Sequence, residues 1–145
     1  MGLCNTAPMN NTIIMGNNAT TAARIQVAWT AVSDIRDKCI FGRVPHGRGF
    51  LQNIKPIEYA FKDRETGCIT DPQGRRRYGF SAQDLLAAEG QDPVIVNNEN
   101  PDKLMVTSDY IVPVLVNAVN ELSAQLTAHT DQIQELKSRL DQLTQ

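Results

Sequence analysis

The most regular pattern of apolar positions lies in the C-terminal third of the chain. From Val112 to Leu143, apolar residues recur at alternating spacings of three and four, which is the a/d pattern of a heptad repeat. Such a repeat predicts a left-handed coiled coil, because a 3.5-residue period keeps one stripe of the helix facing its partners. The pattern alone leaves dimer and trimer open. The a positions are Val112, Val119, Leu126, Ile133 and Leu140, and the d positions are Leu115, Leu122, His129, Leu136 and Leu143.

His129 is the polar residue that interrupts this apolar seam. We interpret it as a residue that fixes the register of the coiled coil, as buried polar residues at core positions do. Metal binding or pH sensing would need more ligands than the sequence places near it.

Residues 33–112 alternate short apolar segments with Gly and Pro, which indicates short elements joined by turns. Ser33 is predicted to be the N-cap of a helix, because acidic residues follow it in the first turn. The other predicted elements are a short helix at Phe50–Ile54, a helix from Ser81 to about Gly90, and short strands at Val94–Val96 and Leu104–Val106.

A hairpin is predicted between two of these elements. Ile57–Phe61 alternates as a strand does, Arg77–Phe80 resembles its return partner, and Asp71–Gly74 has the composition of a turn. The sequence therefore predicts a long two-stranded arm over about residues 57–80.

Residues 1–32 are polar and rich in Asn, Thr and Ala. Ile25–Trp29 alternates with period two and predicts a half-buried strand. The segment has too few apolar residues for a core of its own, so it is predicted to be a short β-rich stub. The predicted fold class is α+β, with the stub at 1–32, a helix and hairpin core at 33–112 and a coiled-coil helix at 113–145.

Composition and charge exclude several classes of protein. The chain has 145 residues, a formal charge of −2 and 41% hydrophobic residues, as ordinary globular proteins have. The near-neutral charge argues against a nucleic-acid partner, and no apolar run approaches the ~20 residues of a membrane span. Cys4, Cys39 and Cys68 have no CxxC spacing, so neither a disulfide framework nor a zinc site is predicted.

Two further features have ordinary explanations. Arg75, Arg76 and Arg77 are consecutive, and at the end of an arm they would keep an exposed edge soluble or contact an acidic partner. His46 lies among Gly and Pro and is expected to be a loop histidine. No phosphate-binding Gly loop, zinc motif or paired-carboxylate motif is present.

Ser33 and Lys38 could form a nucleophile and its base, because a lysine serves as base when its neutral amine persists. On one α-helix, however, five residues at about 100° each would place the two side chains about 140° apart. They can meet only if Ser33 lies on extended chain before the helix, or if a second subunit supplies one partner. From spacing alone, an N-cap serine and a surface lysine are the ordinary interpretation.

Three blocks in order give a family resemblance. The chain resembles the peptidase S74 family, the C-terminal intramolecular chaperone domains of bacteriophage tail fibres, tailspikes and endosialidases; a related domain occurs in myelin regulatory factor. The resemblance extends from Ser33 to about Gln145. The blocks are Ser33-Asp34-Ile35-Arg36-Asp37-Lys38, Phe50-Leu51-Gln52-Asn53-Ile54-Lys55-Pro56-Ile57-Glu58-Tyr59 and Tyr78-Gly79-Phe80-Ser81-Ala82-Gln83-Asp84-Leu85, followed by the coiled coil.

The resemblance implies a homotrimer that guides its own upstream fibre domain into a folded trimer and then cuts itself off. It implies Ser33 as nucleophile, Lys38 as general base, supporting roles for Asp34 and Arg36, and cleavage at the Val32–Ser33 bond. It further implies an arm at 57–80 that embraces the fibre. No cofactor or metal is expected. The setting would be the host cytoplasm during virion assembly, with the parent protein in the virion tail.

Three alternatives remain at this point. The domain could be a non-catalytic trimerisation cap, which a solvent-exposed Lys38 would favour. It could be the receptor-binding tip of a fibre, although the aromatic content of 6% gives little support. The transcription-factor relative permits a DNA-tethered regulator, but no DNA-reading motif occurs within the chain.

Overall fold

The structure, a computed structural model, describes Ile13, Met15, Thr20 and residues 22–144. The predicted α+β class is confirmed, because helices and two small sheets occur together. In chain order the elements are a 3-10 turn (Ile35–Asp37), α1 (Arg48–Asn53), β1 (Pro56–Tyr59), β2 (Arg77–Phe80), α2 (Ala82–Glu89), β3 (Val96–Asn97), β4 (Met105–Val106), a second 3-10 turn (Ser108–Tyr110) and α3 (Ile111–Leu143).

The described residues divide into two compact units. One contains the chain up to Ile40 together with Glu58–Tyr78, and the other contains Phe41–Ile57 together with the chain from Gly79 onward. The hydrophobic core belongs to the second unit, where α1, α2, β3 and the start of α3 pack together. Its buried members are Phe50, Ile54, Leu85, Ile95, Val96, Ile111 and Val114.

Helix α2 begins and ends as its sequence predicts. The Ser81 hydroxyl accepts a hydrogen bond from the Asp84 amide at 3.2 Å, which caps the N-terminus. Gly90 ends the helix at φ 84°, a left-handed conformation that glycine adopts without steric cost. Leu85 is fully buried, so α2 presents one apolar side chain to the centre of the core.

Two short strands are present after α2 as predicted, but the first covers Val96–Asn97 and not Val94–Val96. β3 and β4 pair antiparallel, with Val96 opposite Val106 and Asn97 opposite Met105. Their position depends on Glu89, whose carboxylate accepts hydrogen bonds from three successive amides, those of Val94, Ile95 and Val96, at 2.7–3.0 Å.

The predicted long C-terminal helix is present as α3, which has 33 residues. Ile111, Val114 and Ala118 are buried in the core, whereas the predicted seam is exposed; Leu115 is 47% exposed and Leu126 68%. At about 100° per residue, the core-facing stripe and the seam lie about 90° apart around the first turns of the helix. One chain therefore uses one face of α3 for its own core and leaves the seam in solvent. Assembly of that seam with other chains stays a prediction.

The segment from β1 to β2 differs from the single long arm that the sequence predicts. β1 and β2 pair in a two-stranded sheet, but the chain between them contains two turns. The first turn spans residues 63–68 and is closed by the bridge between Lys62 and Ile69; the second is the predicted turn, in which the Gly74 amide donates to the Asp71 carbonyl at 2.8 Å.

Local hydrogen bonds stabilise the first of these turns. The Asp63 carboxylate accepts hydrogen bonds from the amides of Glu65 and Thr66, and Gly67 takes a φ of 72°. Asp residues followed by a left-handed glycine stabilise turns in this way. The long arm is thus not confirmed, and the ladder of β1 and β2 is four residues on each strand.

The strand predicted at Ile25–Trp29 is wrong for this chain. Residues 22–34 contain no helix or strand, and Val27 and Trp29 are each 75% exposed. A strand needs a neighbour to pair its backbone N–H and C=O groups, and alternation alone does not supply one. The β-rich stub is therefore absent from residues 22–32. The rest of the predicted stub lies largely outside the described residues.

No helix in the described part of the chain is long and apolar enough to cross a membrane.

Candidate functional site

The segment that follows Val32 forms a tight turn instead of a helix. Its 3-10 turn has only three residues, Ile35–Asp37. The predicted N-cap at Ser33 is wrong: the cap is Asp34, whose carboxylate accepts a hydrogen bond from the Arg36 amide at 2.9 Å. A carboxylate reaches the second amide of the turn from the extended backbone at the cap position, and this places Ser33 one residue earlier.

This turn brings Ser33 and Lys38 together. The Lys38 Nζ donates a hydrogen bond to the Ser33 Oγ at 2.6 Å. The contact forms because Lys38 is extended, at φ −116° and ψ 132°, and leaves the turn instead of continuing a helix. Of the two geometries that allow the pair to meet, the structure has Ser33 on non-helical chain before the turn, within one subunit.

Asp34 and Arg36 hold the turn through hydrogen bonds to each other. The Arg36 guanidinium donates to both carboxylate oxygens of Asp34, with Nη2 to Oδ2 at 2.6 Å and Nε to Oδ1 at 3.0 Å. This side-chain hydrogen bonding, helped by the Arg36 amide, lowers the pKa of Asp34 and keeps it ionised. It also raises the pKa of Arg36. Both residues therefore act on the shape of the turn.

The Ser33–Lys38 pair is exposed to solvent in the single chain. Ser33 and Lys38 are both exposed, and Val32, which carries the carbonyl before Ser33, is 88% exposed. A lysine acts as a base only in its neutral form, which burial favours and water disfavours. The geometry of a nucleophile with its base is thus present, while the low-dielectric surroundings that such chemistry needs are not supplied by the described chain.

The three consecutive arginines have partners within the chain. Arg75 Nε donates to the buried carboxylate of Asp71 at 2.7 Å, and Arg76 lies 3.4 Å from the Glu58 carboxylate. The guanidinium of Arg77 lies over the ring of Phe61 at 5.4 Å. The bond from Arg75 is the main cause that lowers the pKa of Asp71. These contacts agree with a structural role in the segment from β1 to β2.

The remaining candidate residues have structural surroundings. His46 is half-buried and stacks on Phe50, with ring centroids 4.3 Å apart. Cys39 and Cys68 are exposed thiols, and Cys4 lies outside the described residues. Within the described ranges, no group of three or more His, Cys, Asp or Glu side chains of one chain is arranged to hold a metal ion.

Sequence reasoning missed two polar residues on the core side of α3. The Asn117 amide donates to the carbonyls of Val44 and His46 at 2.9 and 3.0 Å, and the Glu121 carboxylate accepts from the Arg48 amide at 2.8 Å. They secure the loop that begins α1. Both residues lie outside the a and d positions of the heptad, which indicates that they do not belong to the seam. The heptad pattern does not reveal which backbone groups they bind.

A comparison with family models confirms the family resemblance, over a shorter span than the predicted Ser33 to about Gln145. The Peptidase_S74 model, described as chaperone of endosialidase, matches residues 33–95. The match begins at Ser33 and includes the turn, the Ser33–Lys38 pair, β1, β2 and α2. No match was found among curated proteins, and none among solved structures.

Proposed function

Residues 33–95 belong to the Peptidase_S74 family, chaperone of endosialidase, and from this premise we propose that the chain is the C-terminal intramolecular chaperone of a phage tail fibre or tailspike. It trimerises through α3, directs folding of the fibre domain before it, and releases itself by cleavage at Val32–Ser33. The observation that carries the cleavage step is the 2.6 Å hydrogen bond between Lys38 Nζ and Ser33 Oγ.

The first step of the proposed reaction is an attack of Ser33 on its own preceding carbonyl. The neutral Lys38 amine takes the hydroxyl proton as Oγ adds to the Val32 carbonyl carbon. The tetrahedral intermediate then expels the Ser33 nitrogen, which receives that proton from Lys38. The product is an ester between the Val32 carbonyl and Ser33 Oγ, with a new amine at Ser33.

The second step is hydrolysis of this ester. Lys38 takes a proton from water as the water oxygen adds to the Val32 carbonyl carbon, and it gives that proton to Ser33 Oγ as the ester bond breaks. Val32 ends as a carboxylate, and Ser33 regains its hydroxyl as the N-terminal residue of the released domain. Neither step requires a cofactor.

Assembly is the proposed trigger for this reaction. In the single chain the pair is exposed, and the seam of α3 is exposed as well. Covering Lys38 with a neighbouring chain or with the folded fibre would exclude water and favour the neutral amine. Cleavage would then occur only after correct folding. The fibre would be kinetically stable afterwards, because the chaperone that guided its folding would be gone.

A second function, a non-catalytic trimerisation cap, is favoured by one specific observation. Lys38 is exposed in the single chain, as an inactive lysine would be. In this alternative the hydrogen bond to Ser33 would serve only the turn, and the chain would remain intact in the trimer.

Intact mass of the purified chain separates the two functions. We expect the wild type to lose residues 1–32, and Ser33→Ala and Lys38→Ala to remain whole, because a positioned base contributes about 10²–10⁴-fold in rate. Lys38→Arg is expected to remain whole too, since a guanidinium keeps its proton. Lys103→Ala, which removes an exposed lysine elsewhere, should be cleaved like the wild type.

Hydroxylamine tests the ester directly. Added during cleavage, it should leave a hydroxamate on Val32 in place of the carboxylate, because it attacks an ester faster than water does. A wild-type trimer that stays whole when its fibre domain is present would contradict autoproteolysis and support the cap.

A further inference from the structure

His129 is the only titratable residue at a seam position of α3. Nine of the ten a and d positions from Val112 to Leu143 are apolar, and His129 occupies a d position between the a residues Leu126 and Ile133. The side chain is exposed in the single chain. Its imidazole has no hydrogen-bond partner within the part of the chain that the structure describes, and the flanking Thr130 hydroxyl donates to the Leu126 carbonyl of its own helix at 2.8 Å.

Three-fold assembly changes the surroundings of this residue. In a parallel trimer, every d position meets its two symmetry copies at the axis, so three imidazoles would share one layer. Leucine and isoleucine layers on both sides would exclude water from it. Unpartnered imidazole nitrogens in such a layer are unfavourable, because buried polar groups need hydrogen bonds or ligands.

A divalent transition metal satisfies all three imidazoles at once. Three histidine nitrogens with a water in the fourth position form a common tetrahedral zinc site, and imidazole also suits nickel and copper. The charged residues near His129, Asp131 and Glu135, fall at heptad positions f and c on the outer side of the helix. They would therefore leave the coordination to the histidines.

We propose that the coiled coil of this protein binds zinc or a similar divalent transition-metal ion at a layer of three histidines, His129 of each subunit. The inference rests on the proposed trimeric function, and it assigns the break in the seam a role beyond register. Each subunit supplies one ligand, so the site is complete only in the assembled trimer. The metal would thereby stabilise the assembled state over separate chains.

The test measures zinc binding by the tag-free trimer. We expect equilibrium dialysis to give one zinc ion for every three wild-type chains, and sedimentation equilibrium to give a trimer with and without zinc. His129→Leu should remain trimeric, lose this zinc ion and lose the zinc-dependent rise in melting temperature. His46→Asn is the matched control, since it removes the other histidine of the chain and should keep the site.

Each outcome decides the proposal. The proposal is supported if His129→Leu loses the zinc ion while His46→Asn keeps it. A cobalt-substituted wild type should show the absorption of a tetrahedral nitrogen site. A wild-type trimer that binds no zinc, or binds it equally after His129→Leu, overturns the metal site and leaves the trimeric chaperone standing. A monomer or dimer in solution overturns both, and the sedimentation result identifies that case.

Discussion

At the scale of single residues, Asp34 decides the shape of the candidate site. Its carboxylate caps the 3-10 turn through the Arg36 amide and also pairs with the Arg36 guanidinium. Both interactions favour the ionised form of Asp34. These interactions hold the turn between Ser33 and Lys38, and the turn keeps Lys38 Nζ within hydrogen-bonding distance of Ser33 Oγ.

The pH dependence of this turn follows from the lowered pKa of Asp34. The ordinary value is 3.8, and the Arg36 side chain is the largest cause of the downward shift. Because the folded pKa is depressed, the stabilisation is complete above pH 3.8 and is lost as the pH falls through the lower folded pKa. We expect carboxyl NMR titration of Ser33→Ala protein to place the Asp34 midpoint below 3.8.

Arg36→Ala provides the check on this cause. Without the guanidinium, the Asp34 midpoint should rise toward 3.8. Asp63 serves as an internal control, since hydrogen bonds from Thr66 lower its pKa and Arg36 does not contribute. An Asp34 midpoint that does not change in Arg36→Ala would show that the pair is not what holds the carboxylate ionised.

At the scale of elements, one carboxylate joins α2 to β3. Glu89, in the last turn of α2, accepts hydrogen bonds from the amides of Val94, Ile95 and Val96. Ile95 and Val96 are each 2% exposed, so water cannot replace these bonds. The loop between helix and strand is thus fixed by a side chain, since β3 itself pairs over only two residues.

Glu89→Ala is expected to lower the free energy of unfolding by about 2–4 kcal/mol, because two buried amides lose their acceptors. Urea unfolding at fixed chain concentration, in the uncleavable Ser33→Ala background, measures this change. Glu89→Gln should have a free energy of unfolding between those of the wild type and Glu89→Ala, because glutamine keeps a single acceptor oxygen. Glu99→Ala, an exposed carboxylate nearby, should change stability by no more than about 0.5 kcal/mol.

Hydrogen exchange locates the effect of Glu89→Ala. The amides of Ile95 and Val96 should lose protection more than those of α3. Unchanged stability and unchanged protection would mean that the three hydrogen bonds contribute nothing net in solution.

At the scale of the whole molecule, a single chain leaves too much of α3 uncovered. The helix buries Ile111, Val114 and Ala118 in its own core, and beyond Ala118 none of its described residues is buried. Its last turns expose Leu136 and Leu140 at 62% and 60%. An isolated helix of this kind gains little stability from packing. Its heptad repeat therefore predicts that partner helices stabilise it.

Ile133→Asp and Gln134→Asp form a matched pair that tests this assembly. Both residues are exposed neighbours on α3 and both changes introduce the same charge, but Ile133 lies at an a position and Gln134 at b. We expect Ile133→Asp to abolish the trimer and the cleavage, because buried aspartates would repel one another. Gln134→Asp should preserve both. Sedimentation equilibrium and intact mass measure the two results, and a trimeric Ile133→Asp would exclude this seam as the interface.

The periodic elements were determined by the sequence itself. The heptads predicted α3, Ser81 and Gly90 marked the ends of α2, and Ser33 to Lys38 with the later blocks gave the family. These signals are local, since helix periodicity, caps and turn residues act within a few positions along the chain.

Tertiary contacts decided the rest, because they join residues that the sequence separates. Asn117 and Glu121 bind backbone groups more than seventy positions away. The alternation of Ile25–Trp29 has no partner strand among the described residues, and the turn at Asp63–Gly67 was not among the predicted turns. The Ser33–Lys38 contact lies between the two cases: the sequence supplied both residues, but only the three-dimensional path of a non-helical Ser33, a short turn and an extended Lys38 brought their reactive atoms together.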